Sequence, residues 1–387
     1  MVHQGCVDDV TAQYISAAKR TGGAWSGLAR VVLPQLRLDS GEVLSPVRIA
    51  YESWGRLSPA RDNVILVCHA LTGDAHACDS YAPDDARAGW WNPLIGPGRV
   101  FDTNRYFVIC SNVLGSCYGS SGPTSPHPVD GAPWRLRFPL VTVRDIVRAQ
   151  WHLLQSLDIP GLAAVAGGSL GGLQALEWAI AYPDSVEKAI VVAASARLSA
   201  QGLAIDEIAR QSIMGDPKWN GGQYTDASGP ETGLALARML AMLTYTSAEG
   251  LEARFGRRAA VRDENWPVFG QRHDVHTYLH HQADKLVRRF DANSYLYLSH
   301  AMDQYDASSD IHPGRSGTRF SAVRARVLTV GIRSDWLYPP SQVRALAQDL
   351  AAAGASATYV ELDSPHGHDA FLKEWDQMDA VLRPFLG

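Results

Sequence analysis

The sequence predicts an α/β protein, a mostly parallel sheet with helices on both faces and a helical insertion. Three observations predict it. Short continuous apolar runs recur at 47–51, 64–68, 106–110, 162–166 and 189–194, the pattern of strands buried on both faces. Stretches of helical period stand between and after the later runs, at 143–154 and 170–181. From about 197 to 310, helical patterns follow one another without a convincing strand, and then the alternation resumes.

Residues 1–30 are weakly patterned, with 28–33 as a possible edge strand. The runs at 47–51 and 64–68 are separated by the turn-prone segment 55–59, and 106–110 is a third strand. Val143, Ile146, Val147, Trp151 and Leu154 recur at three and four residues, one face of a helix that ends before Pro160. A strand at 162–166, a helix at Leu170–Ala181 stopped by Pro183, and a strand at 189–194 complete a crossover unit. Helices are then expected at 198–214, 233–245, 248–255, 273–290 and 293–305; the fourth carries Val275, Leu279, Gln282 and Leu286 on one side. The core returns with a strand at 323–330, a helix at 341–353, a strand at Ala357–Leu362 and a last helix from about Asp369. The expected division is a core of 1–196 and 311–387 with a helical cap of 197–310.

Composition narrows the class. With 46% hydrophobic and 19% charged residues, the 387-residue chain is not a disordered one. Its 35 basic and 40 acidic side chains give a net charge of -5, which argues against a nucleic-acid partner. No apolar stretch is long enough for a leader or a membrane span. Five cysteines, an odd number without a CxxC pair, read as thiols of a reducing compartment. A soluble, cytoplasmic protein is expected.

The sharpest local signal is Gly167-Gly-Ser-Leu-Gly171, a G-x-S-x-G turn with a strand running in and a helix running out. A serine at such a tip is strained, and the glycines let strand and helix approach. The Ser169 hydroxyl then faces the mouth of the sheet, and the helix from Leu170 aims its free N–H groups at a developing oxyanion. The plain alternative is a glycine-rich turn without chemistry. A nucleotide-binding turn lacks support, since neither G-x-G-x-x-G nor a Walker lysine is present.

A serine nucleophile needs a base and a group to orient it. The strand at 323–330 runs into Asp335, and Ala357–Leu362 is followed by two candidate bases, His366 and His368. Among the other histidines, His273, His276, His280 and His281 fall on one helix without a complete metal-ligand set, so exposed helix positions and no metal are expected. His69, just after the strand Val64–Cys68, is read as shaping its loop and not as taking a proton.

At this point the whole chain resembles the homoserine O-acyltransferase family, enzymes of the α/β-hydrolase fold that acylate homoserine for methionine biosynthesis. The matching segments include 68–74, 89–91, 95–98, 112–116, 119–123, 167–172, 175–178, 233–238 and 367–372, in order. The resemblance implies Ser169 as nucleophile, Asp335 as orienting acid and His368 as base, with the N–H groups of Leu71 and Leu170 as oxyanion hole. It implies Arg238 for the substrate carboxylate and Asp369 for its amino group, a pairing that suits an amino acid. Left to themselves, Arg238 could be a solvated side chain and Asp369 a cap of the last helix.

The resemblance further implies ping-pong transfer of acetyl from acetyl-CoA to homoserine, no permanently bound cofactor, and a homodimer through the cap helices. The segment 69–74 resembles the acetyl-using form; Arg61 and Arg197 are the nearest, weakly placed candidates to hold a succinyl carboxylate. Succinyl transfer to homoserine, acyl transfer to serine, plain ester hydrolysis and a non-catalytic binding protein are the alternatives.

Overall fold

The computed structural model describes residues 28–79, 88–225, 228–260, 273–309 and 318–387, and the backbone of a short strand at Gln13–Ile15. Nine strands form the central sheet: β1 (Gln13–Ile15), β2 (Ala29–Leu33), β3 (Val47–Trp54), β4 (Val64–Cys68), β5 (Phe107–Ser111), β6 (Ala164–Gly168), β7 (Lys188–Val192), β8 (Arg326–Ile332) and β9 (Ala357–Leu362). Their order across the sheet is β1-β2-β3-β5-β4-β6-β7-β8-β9. From β5 to β9 every neighbour is parallel.

The run at 47–51 does not join that parallel set. β3 pairs antiparallel with both β2 and β5, Tyr51 standing opposite Ser111. β2 reaches it through a short ribbon of Leu36–Arg37 with Val43–Leu44, too tight for the crossover that a parallel pair needs. Nor is 28–33 the edge, since β1 lies outside it.

β4 explains why these strands are apolar throughout. Val64, Leu66 and Cys68 enter the core on one face of the sheet, while Ile65 and Val67 enter a second core on the other. The first face is covered by α1 (Val143–Ser156), α2 (Leu170–Ala181) and α8 (Pro340–Ala352); the second by the loop around Trp91 and by α9 (Trp375–Leu386). A capping box starts α1: Thr142 Oγ1 accepts from the Asp145 N–H, and Asp145 Oδ2 accepts from the Thr142 N–H.

Between β7 and β8 come α3 (Ala200–Met214), α4 (Glu231–Tyr245), α5 (Ala248–Arg254), α6 (Asp274–Val287) and α7 (Ala292–Asp303). Ser199, Ser247 and Asp291 cap α3, α5 and α7 by accepting a backbone N–H. On α6 only Ala283 and Leu286 are fully buried, and Val275, Leu279 and Gln282 are half-buried. The last helix begins later than expected. Residues Gly367–Leu372 make a 3-10 turn, and α9 opens at Trp375 after Glu374, so Asp369 is not its cap.

Candidate active site

Ser169 sits between β6 and α2 with φ 58° and ψ −126°, a strained conformation held by its surroundings. A Cβ on Gly171 would lie 2.1 Å from the Cys68 carbonyl oxygen, and one on Gly168 would meet the Phe371 ring at 2.6 Å. These glycines therefore allow the turn to press against β4 and against the segment that carries His368.

Asp335 stands just past the end of β8. Its Oδ1 accepts from the N–H groups of Leu337 and Tyr338, both at 2.9 Å, and its Oδ2 accepts from His368 Nδ1 at 2.7 Å. The proton on Nδ1 leaves Nε2 with a lone pair, the form a general base requires. His368 is buried, stacked on Tyr338 at 5.5 Å and flanked by Tyr245 and Phe371, each at 5.7 Å. Burial pulls its pKa down, but the charge and hydrogen bond of Asp335, with Asp369 beside it, outweigh burial and leave it raised above 6.5. His366 points elsewhere: its ring is 47% exposed and its nearest acid is Glu374, at 3.9 Å.

His368 Nε2 is buried without a hydrogen-bond partner among the described residues, so its contact with Ser169 Oγ is not closed here. Such contacts often tighten only when substrate binds. Ser169 opens into a cavity of about 20 Å³, room for roughly one water. Leu71, Asp206, Tyr245, Tyr295, Met302 and Leu337 are among its walls. Leu71 thus borders the same space as Ser169, and Leu170, the first residue of α2, has an N–H with no acceptor inside the helix.

Arg238 projects from α4, half-buried, with its guanidinium 5.6 Å from the Tyr245 ring. Its Nε is buried and has no partner among the described residues. Asp369 follows His368 directly and faces Lys373 at 3.7 Å. Burial raises the Tyr245 pKa to about 12, with Arg238 opposing and Asp369 adding to the rise, so both charges act on one ring. Tyr245 and Asp206 went unmarked in the sequence reading. Tyr245 had a signal available, lying seven residues from Arg238 on the same helical face.

The remaining sequence candidates lie apart. Arg61 donates to the Leu157 carbonyl, and Arg197 pairs with Asp306 at 3.3 Å; neither lines the Ser169 cavity. His69 is buried and held neutral, its pKa pushed down to about 4 by burial. Of the α6 histidines, His280 and His281 are exposed as expected, whereas His273 and His276 are half-buried, drawn in where the start of the helix packs down. No cluster of three metal-ligating side chains occurs among the described residues.

Comparison with known proteins joins this geometry to a family. A family model described as alpha/beta hydrolase fold matches residues 63–374. The homoserine O-acetyltransferase of Symbiobacterium thermophilum is 50% identical over 363 residues, covering 92% of this chain and 94% of that one. That of Carboxydothermus hydrogenoformans is 47% identical over 358 residues, covering 92% and 94%. The chain belongs to the homoserine O-acetyltransferase family. Among solved structures, the homoserine O-acetyltransferase of Bacillus anthracis superposes with a TM-score of 0.86 at 29% identity, covering 93% of this chain and 97% of its own. Esterase E22 superposes nearly as well, with a TM-score of 0.83 at 30% identity over 93% of this chain and 99% of that one. The homoserine O-acetyltransferase fold therefore also serves ester hydrolysis, and the site must separate the two.

Proposed function

We propose that the protein is a homoserine O-acetyltransferase, moving acetyl from acetyl-CoA to the hydroxyl of L-homoserine through an acyl-Ser169 intermediate, within methionine biosynthesis. The observation that carries this reading is the orphaned Arg238 Nε, close to Tyr245 and hence to His368, with Asp369 also near enough to act on the Tyr245 ring. A buried guanidinium nitrogen without a partner is costly unless an anion completes it. An amino acid supplies both the carboxylate for Arg238 and the ammonium for Asp369. A simple ester supplies neither.

In the first half-reaction His368 Nε2 takes the Ser169 proton as Oγ attacks the thioester carbonyl. The N–H groups of Leu71 and Leu170 hold the oxyanion. Collapse expels the CoA thiolate, which takes the proton back from His368. In the second half the homoserine hydroxyl gives its proton to His368 and attacks the acyl-serine. Ser169 then leaves with that proton, and O-acetylhomoserine is released. The helices of 197–310 act as the cap that keeps water from competing.

The described walls of the cavity beside Ser169 hold no lysine or arginine to meet a succinyl carboxylate and instead include Asp206, which favours an acetyl donor. Leu203 and Ile208 on α3, with Leu236 and Leu243 on α4, are exposed apolar side chains and form the dimer surface in this reading. Ester hydrolysis is the second reading, favoured by the likeness to esterase E22.

The test is thiol release from acetyl-CoA and succinyl-CoA, each with and without homoserine or serine. Homoserine-dependent release from acetyl-CoA is expected, falling by at least about 10³-fold in Ser169→Ala. Preference for succinyl-CoA or for serine would overturn the donor or the acceptor. Release independent of any acceptor, with rapid hydrolysis of simple esters, would make the protein a hydrolase.

A further inference from the structure

We propose that Gln174 is a positioning residue that sets the spacing between the two halves of the oxyanion hole. One side-chain amide grips both. Its Nε2 donates to the His69 carbonyl and to the Leu170 carbonyl, each at 3.1 Å. The first carbonyl belongs to the turn that carries Leu71, the second to the opening of α2, so the inference rests on the oxyanion roles proposed above. Gln174 and His69 are 105 residues apart in the chain, and this amide bridges the turn after β4 to α2.

The orientation of the amide is dictated by its neighbours. An indole N–H only donates, so Trp178 Nε1, 2.8 Å from Gln150, fixes the oxygen of that glutamine. Gln150 Nε2 must then donate to Gln174 Oε1, at 2.8 Å, which leaves Gln174 Nε2 turned toward the two carbonyls. The turn after β4 is fixed from its other side as well. His69 Nδ1 donates to the Ala70 carbonyl at 2.8 Å, and Nε2 accepts from the Val113 N–H at 3.1 Å. His69, Gln150, Gln174 and Trp178 are all buried, so water does not substitute for a lost contact.

A buried glutamine in a helix reading LGGLQALEWAIA is unfavourable unless its amide is fully used. A preorganised oxyanion hole gains from such a network, because its donors need not move when charge develops. Leu71 and Leu170 sit on separate segments, and a few tenths of an ångström between them decides whether both reach one oxygen.

The experiment compares wild type with Gln174→Met, close in volume but without the donors, and with the milder Gln150→Met. Two quantities are read, with the KM for homoserine as a control: the rate of Ser169 acylation by p-nitrophenyl acetate, and the inhibition constant of methylboronic acid. The boronic acid forms a tetrahedral adduct on the serine and places an oxygen in the hole. Gln174→Met is expected to slow acylation by roughly 30- to 100-fold and to weaken boronic acid inhibition in parallel, with the KM for homoserine within about twofold. Gln150→Met should move both in the same direction by less. Slower acylation without weaker boronic acid inhibition, or a lowered melting temperature with both quantities intact, would overturn the proposal. Neither reading requires CoA or homoserine, so they hold for transferase and esterase alike. A wild type that neither acylates nor binds the boronic acid would instead refute the oxyanion roles themselves, and this proposal with them.

Discussion

The two sides of Ser169 differ in how their polar groups are satisfied. Behind it, His69, Gln150, Gln174 and Trp178 are buried and matched to one another or to backbone groups. In front of it, Arg238 Nε and His368 Nε2 are buried without partners among the described residues. Buried polar groups are nearly always paired, so in the proposed reading these two await groups that the substrate brings. In that reading the half that must not move is complete, and the half that would receive substrate is left open. Asp206, on the wall of the Ser169 cavity, shares a side-chain hydrogen bond with Asp303, and burial together with that neighbouring charge raises its pKa well above 3.8.

The largest expected effect tests the link between the halves. Asp335→Asn should cost about 10³- to 10⁴-fold in acylation, since it removes the acceptor that fixes the His368 tautomer. His368 must be neutral to act, and its pKa is raised, so wild-type kcat/KM falls as pH drops below a midpoint above 6.5. In Asp335→Asn the larger raising influence is gone, while burial and the smaller effect of Asp369 remain, so that midpoint moves to lower pH. An unmoved midpoint would break the assignment of Asp335.

Next comes a test of the unmatched side alone. Arg238→Ala should raise the KM for homoserine by about 10²-fold, while the burst of thiol release from acetyl-CoA changes less than about threefold. Equal loss in both would place Arg238 with the acylation machinery and blur the contrast.

The smallest effect concerns the matched side. The His69 pKa is about 4 in the folded protein against 6.5 ordinarily, so between these values the unfolded chain binds a proton that the folded one does not. Stability is therefore lost as pH falls through this window, by about 2 kcal/mol between pH 6.5 and 5. Urea unfolding at both pH values should show that part of the loss missing in His69→Gln. An unchanged difference would mean that His69 is not held neutral by its surroundings.

Much of this was legible in the residues. The strand at Val64–Cys68, the helix at Leu170–Ala181 and the turn at Ser169 between strand and helix stand where period and glycine spacing put them. The pairing of Asp335 with one histidine was narrowed to two by chain position, and it took the resemblance or the geometry to separate them. Strand direction was not legible at β3, because an apolar run records burial and not polarity. The helix expected from Asp369 failed because Gly367, at φ 65°, lets the backbone make a 3-10 turn first. Gln174 carried an unread signal, an amide among apolar neighbours just beyond the nucleophile.

The insertion between β7 and β8, with five α-helices among its described residues, also orders events in time. A nascent chain that has made β7 holds the Ser169 turn, but the acid and the base are still to come, on segments beyond residue 326. Until β8 arrives, β7 is an uncovered edge whose Ala189, Ile190, Val191 and Val192 will all be buried. That pairing closes a long stretch of chain and is slow for entropic reasons, so the growing polypeptide is sticky but chemically silent. In the proposed reading, reactivity toward thioesters then appears only once the segments carrying Asp335 and His368 have been made.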